Sequence, residues 1–433
     1  MKNGDAANLS AVRRLKYVAD LNPTARQDLL EASDTEVSFL PMEAIGEDGS
    51  IKLGQMRPVS DVRNGYSYFE DGDVAFAKVT PCFENGKGAL MSGLERGAGL
   101  GTTELTVLRA RQGTSAQFLN YVVQSSRFRQ FGAAAMTGAG GLKRVPDEFT
   151  RDFKTSWPSL TDQTRIANFL DEQTARIDAL IAEKERLDVL LGEYRQAVIA
   201  QAVTKGLDAN APIKDSGIEW LGAVPEHWER WKVSHAFGRI GSGTTPPTDQ
   251  QEWYEDGNIP WITTGELREN RIEQTAKSVT AAALEKFSAL QVFPPESLAV
   301  AMYGATIGRL GILGTDATTN QACCVLSLPA HLAVPFVFYW LCAFRQVLIA
   351  LFATGGGQPN ISQDSVASLR VPAPSLKEQA AIANFLDEHT ARIDALREHC
   401  KKHIALLREY RSSLISAAVT GQLDIDNFGR PEA

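Results

Sequence analysis

The sequence predicts a mixed α+β protein that consists of two tandem copies of one unit. The stretch IANFLDEQTARIDAL at residues 166–180 returns as IANFLDEHTARIDAL at residues 382–396, with one residue changed. The same shift of 216 positions aligns residues 163–208 with residues 379–424 without a gap and keeps 26 of 46 residues identical. The segments before each preserved stretch show strand-like runs and glycine-rich turns instead. A match of this length indicates an internal duplication, in which each copy has a variable part followed by a preserved part.

The preserved parts predict two long amphipathic helices, because their apolar residues recur at spacings of three and four. Each run follows a serine that can cap a helix, Ser159 or Ser375, within a capping-box pattern, and each ends near a glycine, Gly206 or Gly421. The apolar stripes of the two helices, which we expect to serve as spacer and subunit-docking elements, comprise Ile166, Phe169, Leu170, Ile177 and Leu180 in the first copy, and Ile382, Phe385, Leu386, Ile393 and Leu396 in the second.

One apolar stripe needs a partner, so we expect the two helices to pair with each other. A duplicated unit tends to pair about a pseudo-two-fold axis, which predicts an antiparallel coiled coil that separates two variable α/β domains. The expected boundaries are residues 1–158 for the first variable domain, 159–208 for the first helix, 209–374 for the second variable domain, and 375–433 for the second helix with the C-terminal tail.

The variable parts predict short strands at residues 72–79, 105–108, 298–303 and 323–328, bounded by turn residues. Cys323 and Cys324 are expected in the core of a strand rather than as metal ligands, since no histidine or cysteine spacing in the chain is typical of a metal site. The apolar segment 332–353 is interpreted as a buried core helix, because Pro335, Arg345 and Gln346 interrupt a membrane span.

Composition and charge limit the classes of function. The formal net charge is −8. The sequence shows neither a signal-peptide pattern nor an even cysteine framework, so we expect a protein of the reducing cytoplasm that does not contact a membrane. With no strongly basic block, any contact with nucleic acid must come from local clusters or from a partner.

Two glycine-rich loops in each copy offer amides, hydroxyls and cations on tight turns. Glycines let the backbone approach a phosphate, whereas Asn, Gln, Arg and Lys suit base edges in a major groove. The candidate DNA-binding residues are Lys78, Thr80, Phe83, Asn85, Lys87, Lys143 and Arg144 in the first copy, and Thr244, Thr245, Tyr303, Thr306, Arg309, Gln358, Asn360 and Ser362 in the second.

Several motifs together resemble one known family over essentially the whole chain. They are GDVAFAKVTPCFENGKGAL, MYGATIGRLGIL, SGIEWLGAVPEHWE, TGGGQPNIS and the twin IANFLDE helices. The sequence is similar to the specificity subunit of type I restriction–modification systems. The resemblance implies two target-recognition domains that each read one half of an interrupted double-stranded DNA sequence. It also implies docking to two modification subunits, which bind S-adenosylmethionine and methylate adenine, and assembly with restriction subunits that use ATP and Mg. No cofactor is expected on this chain itself.

The sequence departs from this pattern in one place. The segment that leads into the second copy, residues 216–228, is largely missing before Arg14 in the first copy, where the polar start MKNGDAANLSA stands instead. We therefore expect the N-terminal edge of the first domain to be supported differently.

Two other classes of function were weighed against this interpretation. A free-standing amino-methyltransferase should carry an Asn-Pro-Pro-Tyr or Asp-Pro-Pro-Tyr type motif, and a motor should carry a phosphate-binding G-x-x-x-x-G-K-[ST] loop; the sequence contains neither. The chain is therefore expected to be non-catalytic. A structural adaptor that joins protein partners through its helices without reading DNA stays open, and sequence-selective DNA binding would separate the two alternatives.

Overall fold

The computed structural model describes residues 11–31, 34–139, 141–354 and 359–429. It divides into two units, which we call unit 1 (Met1–Arg186 with Cys400–Ala433) and unit 2 (Leu187–His399). Each unit contains one variable part of the sequence and one segment from each of two long helices.

Unit 1 contains short strands and helices. Its described strands are β1 (Ala11–Arg14), β2 (Ala19–Leu21), β3 (Glu36–Leu40), β4 (Met56–Pro58), β5 (Ser67–Glu70), β6 (Val74–Ala77), β7 (Gly88–Leu90), β8 (Ala98–Gly101), β9 (Leu105–Ala110), β10 (Thr137–Ala139), β11 (Leu142–Arg144) and β12 (Lys154–Trp157). Its described short helices are α1 (Gln27–Glu31), α2 (Val59–Val62), α3 (Ala116–Gln124), α4 (Ser126–Ala135) and α5 (Asp147–Asp152).

The strands of unit 1 form two four-stranded sheets, in the orders β2-β9-β6-β7 and β4-β3-β8-β5, and two smaller pairs, β1-β12 and β10-β11. Strand β6 is buried along its whole length and pairs antiparallel with both β7 and β9. Apolar, continuously buried strands of this kind form the centre of a sheet that is covered on both faces.

The first long helix, α6, extends from Leu160 to Lys205 and crosses from unit 1 into unit 2. Its start is capped as predicted, since the hydroxyl of Ser159 accepts a hydrogen bond from the backbone N–H of Asp162 at 3.2 Å. Gly206 follows the last residue with a φ of 72°, a left-handed conformation that glycine adopts without strain and that ends the helix.

Unit 2 repeats the mixed architecture. Its described strands are β13 (Ile213–Asp215), β14 (Ala223–Pro225), β15 (Glu229–Lys232), β16 (Phe237–Gly241), β17 (Ile259–Ile262), β18 (Asn270–Ile272), β19 (Ser278–Val279), β20 (Leu298–Ala301), β21 (Leu310–Leu313), β22 (Thr318–Thr319), β23 (Cys323–Pro329) and β24 (Arg370–Ala373). Its described short helices are α7 (Val233–Ala236), α8 (Ala281–Lys286), α9 (Val334–Phe352) and α10 (Gln363–Ser368), and the second long helix, α11, extends from Leu376 to Val419.

The main sheet of unit 2 has the order β16-β23-β20-β21-β18 and corresponds to the β2-β9-β6-β7 sheet of unit 1. Unit 2 also contains a separate three-stranded sheet, β19-β17-β22, and two separate strand pairs, β15-β24 and β13-β14. Cys323 and Cys324 lie on β23 with no exposed surface, which confirms their predicted place in the core. The mixed fold with two long helices is confirmed as well.

Helix α9 is long and apolar enough, by length and composition, to cross a membrane. Its buried side chains, which include Phe336, Trp340 and Leu348, pack in the hydrophobic core of unit 2 beside β20 and β23. This placement agrees with the predicted core helix.

In unit 1, the first part of α6 packs against the last part of α11. Asp178 pairs with Arg411 at 2.9 Å, and Glu185 pairs with Arg408 at 2.8 Å, so the two segments run antiparallel. Leu170, Ile177 and Ile181 from α6 share one core cluster with Ile404, Leu414, Ile415, Ala418 and Val419 from α11.

In unit 2, the last part of α6 packs against the first part of α11. Asp188 pairs with Arg397 at 2.8 Å, and Arg195 pairs with Asp394 at 3.0 Å, again in antiparallel order. The Arg195–Asp394 pair is the repeat equivalent of Arg411–Asp178 in unit 1. The duplication thus reproduces the helix pairing inside each unit.

The edge of unit 1 where the lead-in segment is missing has its own support. In unit 2 the lead-in places Trp228 against Phe336, with ring centroids 6.0 Å apart. In unit 1 the equivalent of Phe336 is Phe118, and Trp157 of β12 packs against it at 5.3 Å. The C-terminal tail contributes Phe428, whose ring lies 5.0 Å from Phe169. This edge is therefore supported differently from its counterpart, as expected.

Candidate nucleic-acid interface

Three loops of unit 1 meet at the start of β9 and the end of β6. The backbone N–H of Lys78 donates to the carbonyl of Glu104 at 2.8 Å, and the N–H of Thr80 donates to the carbonyl of Lys143 at 2.9 Å. Arg144 forms an antiparallel bridge with Val79. We call residues 78–80, 102–104, 137–139 and 142–144 loop cluster 1.

Unit 2 has an equivalent arrangement. The N–H of Met302 donates to the carbonyl of Ala322 at 2.8 Å, the N–H of Ile361 donates to the carbonyl of Met302 at 2.9 Å, and Tyr303 forms an antiparallel bridge with Asn360. The hydroxyl of Thr245 donates to the side-chain oxygen of Gln321 at 2.6 Å. We call residues 244–245, 302–306, 320–322 and 359–361 loop cluster 2.

The two clusters share their backbone bonds and differ in their side chains. In the turn before β9, the N–H of Glu104 donates a hydrogen bond to the Thr102 hydroxyl at 3.3 Å. In the turn before β23, the N–H of Ala322 donates a hydrogen bond to the side-chain amide oxygen of Asn320 at 3.1 Å. Arg144 and Asn360 occupy equivalent positions on the third loop. The scaffold therefore presents a different set of polar groups from the same place in each unit.

Most predicted residues of the first copy lie on or beside loop cluster 1, with exceptions. Lys78 and Thr80 are half-buried, and Lys143 and Arg144 are exposed. Phe83 was predicted to contact DNA, and this is wrong for the structure described: its ring is 3% exposed and packs against Phe76 and Phe128. The aromatic cluster holds this ring inside the unit.

Asn85 and Lys87 belong to another surface of unit 1. Both line a cleft beside Arg129 and Arg411, and the Lys87 ammonium donates to the Met42 carbonyl at 3.0 Å. They are therefore not part of loop cluster 1.

The predicted residues of the second copy form or support loop cluster 2. The Thr244 carbonyl accepts from the indole of Trp261 at 3.1 Å, and the hydroxyl of Thr306 donates to the Tyr303 carbonyl at 3.3 Å. The Ser362 hydroxyl accepts from the N–H of Ser365 at 3.0 Å, so it caps α10. Gln358 lies outside the described residues.

Two polar atoms at loop cluster 2 stand out. Nε of Arg309 and Oδ1 of Asn360 are buried and have no hydrogen-bond partner among the residues that the structure describes. Tyr303, beside them, is 39% exposed. Buried polar atoms without partners are uncommon in folded proteins, and the described residues include others away from these loops, such as Nε1 of Trp157 and of Trp340.

An ion pair dominates the electrostatics of loop cluster 1. Nε and Nη2 of Arg144 donate to the two carboxylate oxygens of Glu104 at 2.8 and 2.6 Å. This bidentate hydrogen bond, helped by the charge of Lys78, lowers the pKa of Glu104, and the same bond raises the pKa of Arg144. Both groups are therefore charged near neutral pH.

In each unit, one tyrosine fastens the α/β part to the paired helices. The hydroxyl of Tyr121 donates to Asp171 at 2.6 Å, and the hydroxyl of Tyr339 donates to Asp387 at 2.6 Å. Burial, together with the neighbouring carboxylate, raises the pKa of both tyrosines above the ordinary value. Each α/β part is therefore joined to the helix segments of its own unit by a hydrogen bond to a carboxylate.

No group of three His, Cys, Asp or Glu side chains within residues 11–31, 34–139, 141–354 and 359–429 is placed to hold a metal ion.

Comparison with known proteins identifies the source of this architecture. The model of the type I restriction modification DNA specificity domain matches residues 225–405. The EcoAI specificity subunit of Escherichia coli is 36% identical over 193 residues, which cover 41% of this chain and 31% of that protein. The EcoEI specificity subunit of the same organism is 36% identical over 206 residues, which cover 44% and 33%. A putative MjaX specificity subunit of Methanocaldococcus jannaschii is 22% identical over 431 residues, which cover 96% and 93%.

The chain is similar to type I specificity subunits. The domain match lies within the second copy. The matched segments span about a third of the length of the EcoAI and EcoEI subunits.

Solved structures show that the fold of the specificity subunits is shared along the chain. A chain in a structure of type I restriction–modification complex assembly has a TM-score of 0.77 and 19% identity, with coverage of 95% of this chain and 98% of that one. The specificity subunit of Thermoanaerobacter tengcongensis has a TM-score of 0.57 and 18% identity, with coverage of 95% and 97%.

The predicted helix residues divide into two groups. Leu170, Ile177, Ile382, Leu386 and Ile393 are buried, and Ile166, Phe169 and Phe385 are half-buried, so these predicted stripe positions pack inside the units. Leu180 and Leu396 instead are 45% and 54% exposed. They occupy repeat-equivalent positions and are not part of the buried stripe.

The sequence interpretation missed three polar residues of the two loop clusters. Glu104, Asn320 and Gln321 lie on the loops before β9 and β23. Glu104 contacts Arg144 and Gln321 contacts Thr245, whereas Asn320 accepts a hydrogen bond from the N–H of Ala322. The repeat itself offered a signal, because these residues precede equivalent strands in both copies, in the stretches GTTEL and TTNQACC.

Proposed function

We propose that this chain reads DNA sequence for a type I restriction–modification complex, with loop cluster 1 contacting one half of an interrupted target and loop cluster 2 contacting the other. The observation that carries the proposal is the pair of equivalent clusters with unequal side chains. Lys78, Glu104 and Arg144 in unit 1 correspond to Met302, Ala322 and Asn360 in unit 2.

Such unequal sets imply two different half-sites. Base edges in the major groove are distinguished by their patterns of donors and acceptors, and Arg and Asn suit different bases. Because the scaffold bonds are the same in both units while the presented groups differ, the complete target is expected to be asymmetric.

The partners follow from the helices. Exposed apolar side chains recur at repeat-equivalent positions: Leu180 with Leu396, Leu190 with Leu406, and Tyr194 with Tyr410. Each unit thus carries one such set on its paired helix segments. Two equivalent surfaces fit two copies of one partner, and we assign them to two modification subunits. Restriction subunits complete the complex.

The chemistry of the complex belongs to those partners. In this proposal S-adenosylmethionine is held by the modification subunits, and ATP and Mg by the restriction subunits, in the cytoplasm. With a net charge of −8, this chain offers little general attraction for phosphates, so partner subunits also contribute to DNA affinity.

The test is selection of DNA from a random pool by the purified complex of this chain with its modification subunits. The proposal predicts enrichment of an interrupted sequence whose halves differ. Asn360→Ala should relax discrimination in one half only, whereas Arg309→Ala should weaken binding to all sequences more evenly. Assembly with the partners but no enrichment of any sequence would indicate the structural adaptor instead.

A further inference from the structure

The ion pair between Arg144 and Glu104 fixes a guanidinium at the surface of loop cluster 1. The backbone of Arg144 is held by the bridge to Val79, and the N–H of the next residue, Val145, donates to the Lys78 carbonyl at 2.8 Å. The side chain is then held by two hydrogen bonds to Glu104, yet it is 45% exposed. Hydrogen bonds therefore fix both the backbone and the guanidinium of Arg144, while its side chain stays partly exposed to solvent.

The stereochemistry of the pair leaves one edge of the guanidinium for a ligand. Glu104 bonds to Nε and Nη2, which form the side edge of the planar group. The end edge, formed by Nη1 and the second proton of Nη2, is not used by Glu104. That edge presents two parallel N–H donors in a fixed fork.

A donor-only edge selects among the four bases. In the major groove, guanine presents two adjacent acceptors, O6 and N7. Adenine presents one acceptor and one donor, cytosine presents a donor, and thymine presents one acceptor beside a methyl group. A bidentate match to two acceptors is therefore available only on guanine.

We propose that Arg144 reads a guanine in the half-site contacted by unit 1, and that Glu104 is the positioning residue that aims its guanidinium. This inference rests on the proposed function and adds a base identity to it. It is specific to one half-site, because Asn360 and Ala322 stand at the equivalent positions in unit 2.

Ionisation supports the same geometry. The hydrogen bond from Arg144 lowers the pKa of Glu104, so its carboxylate stays charged and acceptor-only near neutral pH. Because Glu104 already fixes the Arg144 side chain, that side chain loses less conformational freedom when it binds a base, which favours a specific base contact over a non-specific attraction to phosphate.

The test uses the complex of the full chain with its modification subunits and DNA duplexes that carry the selected target. Arg144→Ala should lose discrimination at one G·C pair of one half-site by roughly 5- to 150-fold, the range for a bidentate base contact. Replacement of that guanine by 7-deazaguanine, which lacks the N7 acceptor, should weaken binding of the original protein and leave Arg144→Ala unchanged.

Two further variants and a control distinguish recognition of guanine by Arg144 from the effect of its positive charge and from a loss of stability. Arg144→Lys keeps the charge but lacks the planar fork, so it should lose the guanine preference while it retains general affinity. Glu104→Gln should reduce the same preference in part. Arg111→Ala is the matched control, because Arg111 makes a similar two-bond pair with Asp20 at the opposite end of β9.

The outcomes are distinguishable. An even loss of affinity on every sequence for Arg144→Ala, or a selected half-site whose specificity does not change in this variant, would overturn the guanine assignment alone. Absence of any selected sequence with the original complex would overturn the proposed function itself.

Discussion

The helix pairing in unit 2 depends on an ion pair where unit 1 uses two isoleucines. Asp188 and Arg397 lie 2.8 Å apart, with side chains 22% and 31% exposed. Their repeat equivalents, Ile404 and Ile181, are each 9% exposed and belong to the core cluster of unit 1. We therefore predict that isoleucine at both positions of unit 2 preserves or raises the stability of the fold, while isoleucine at one position lowers it.

The magnitudes follow from partial burial. A partly exposed ion pair contributes about 0–1 kcal/mol, so each single variant, Asp188→Ile or Arg397→Ile, should lose ~1 kcal/mol because it leaves a charge opposite an apolar group. Replacement of a buried pair by apolar residues is often neutral or stabilising by 1–4 kcal/mol, and we expect ~1 kcal/mol here. The coupling energy of the double-mutant cycle is then about 3 kcal/mol.

The assay is urea unfolding followed by tryptophan fluorescence. Trp157 is the one tryptophan of the seven that lies outside residues 187–399, so the signal reports mainly on unit 2. Arg392→Ala, which removes an exposed pair within α11, is the control and should change stability by less than ~0.5 kcal/mol. A double variant whose loss equals the sum of the single losses would refute this account of the pairing.

Three other predictions concern the units and their frame. Tyr121→Phe should destabilise unit 1, and Tyr339→Phe should destabilise unit 2, by about 1.5–3 kcal/mol each, because each substitution removes a hydrogen bond to a charged group. Faster hydrogen exchange in both units to the same extent, in either variant, would contradict this prediction. Both tyrosines hold their protons more tightly when folded, so their stabilising effect is complete below a pH of about 10 and is lost as the pH rises further. Burial raises the pKa of the Cys323 thiol to about 12, so this thiol should not react with a disulfide reagent at a pH of about 8 until the protein unfolds. Mass spectrometry would locate the labelled cysteines, and prompt labelling of Cys323 in the folded protein would contradict this prediction. Four residues inserted within 187–191 lengthen α6 by ~6 Å, which should widen the gap of the DNA target by about one or two base pairs and leave each half unchanged; a normal gap with normal activity would mean that the helix does not set the spacing.

The long helices could be predicted closely because their signals are local. Caps at Ser159 and Ser375 and a glycine after each end depend on neighbours only a few residues away, and both helices begin and end where these residues predict. The capping box of α11 is altered by tertiary contacts, since Glu378 accepts from His227 and Trp228. No local pattern reveals such a contact.

The candidate interface could be predicted only in part, because it depends on residues far apart in the chain. The glycine-rich loops were recognisable, but Phe83 was assigned to the surface because it stands within such a loop, whereas the structure turns its ring into the core. Glu104 was missed because its role arises from a contact with Arg144, forty positions away. Side-chain direction in a loop is set by packing, which sequence spacing does not encode.

The central claim is that the two units read two different halves of one DNA target. The most direct measurement maps methylated adenines in DNA from cells that carry the intact system, before and after residues 1–158 are exchanged for the corresponding residues of a type I specificity subunit with a different target. The account predicts an interrupted, asymmetric motif in which the exchange changes one half and leaves the other half and the gap as they were. A motif in which both halves change together, or in which neither changes, would contradict it.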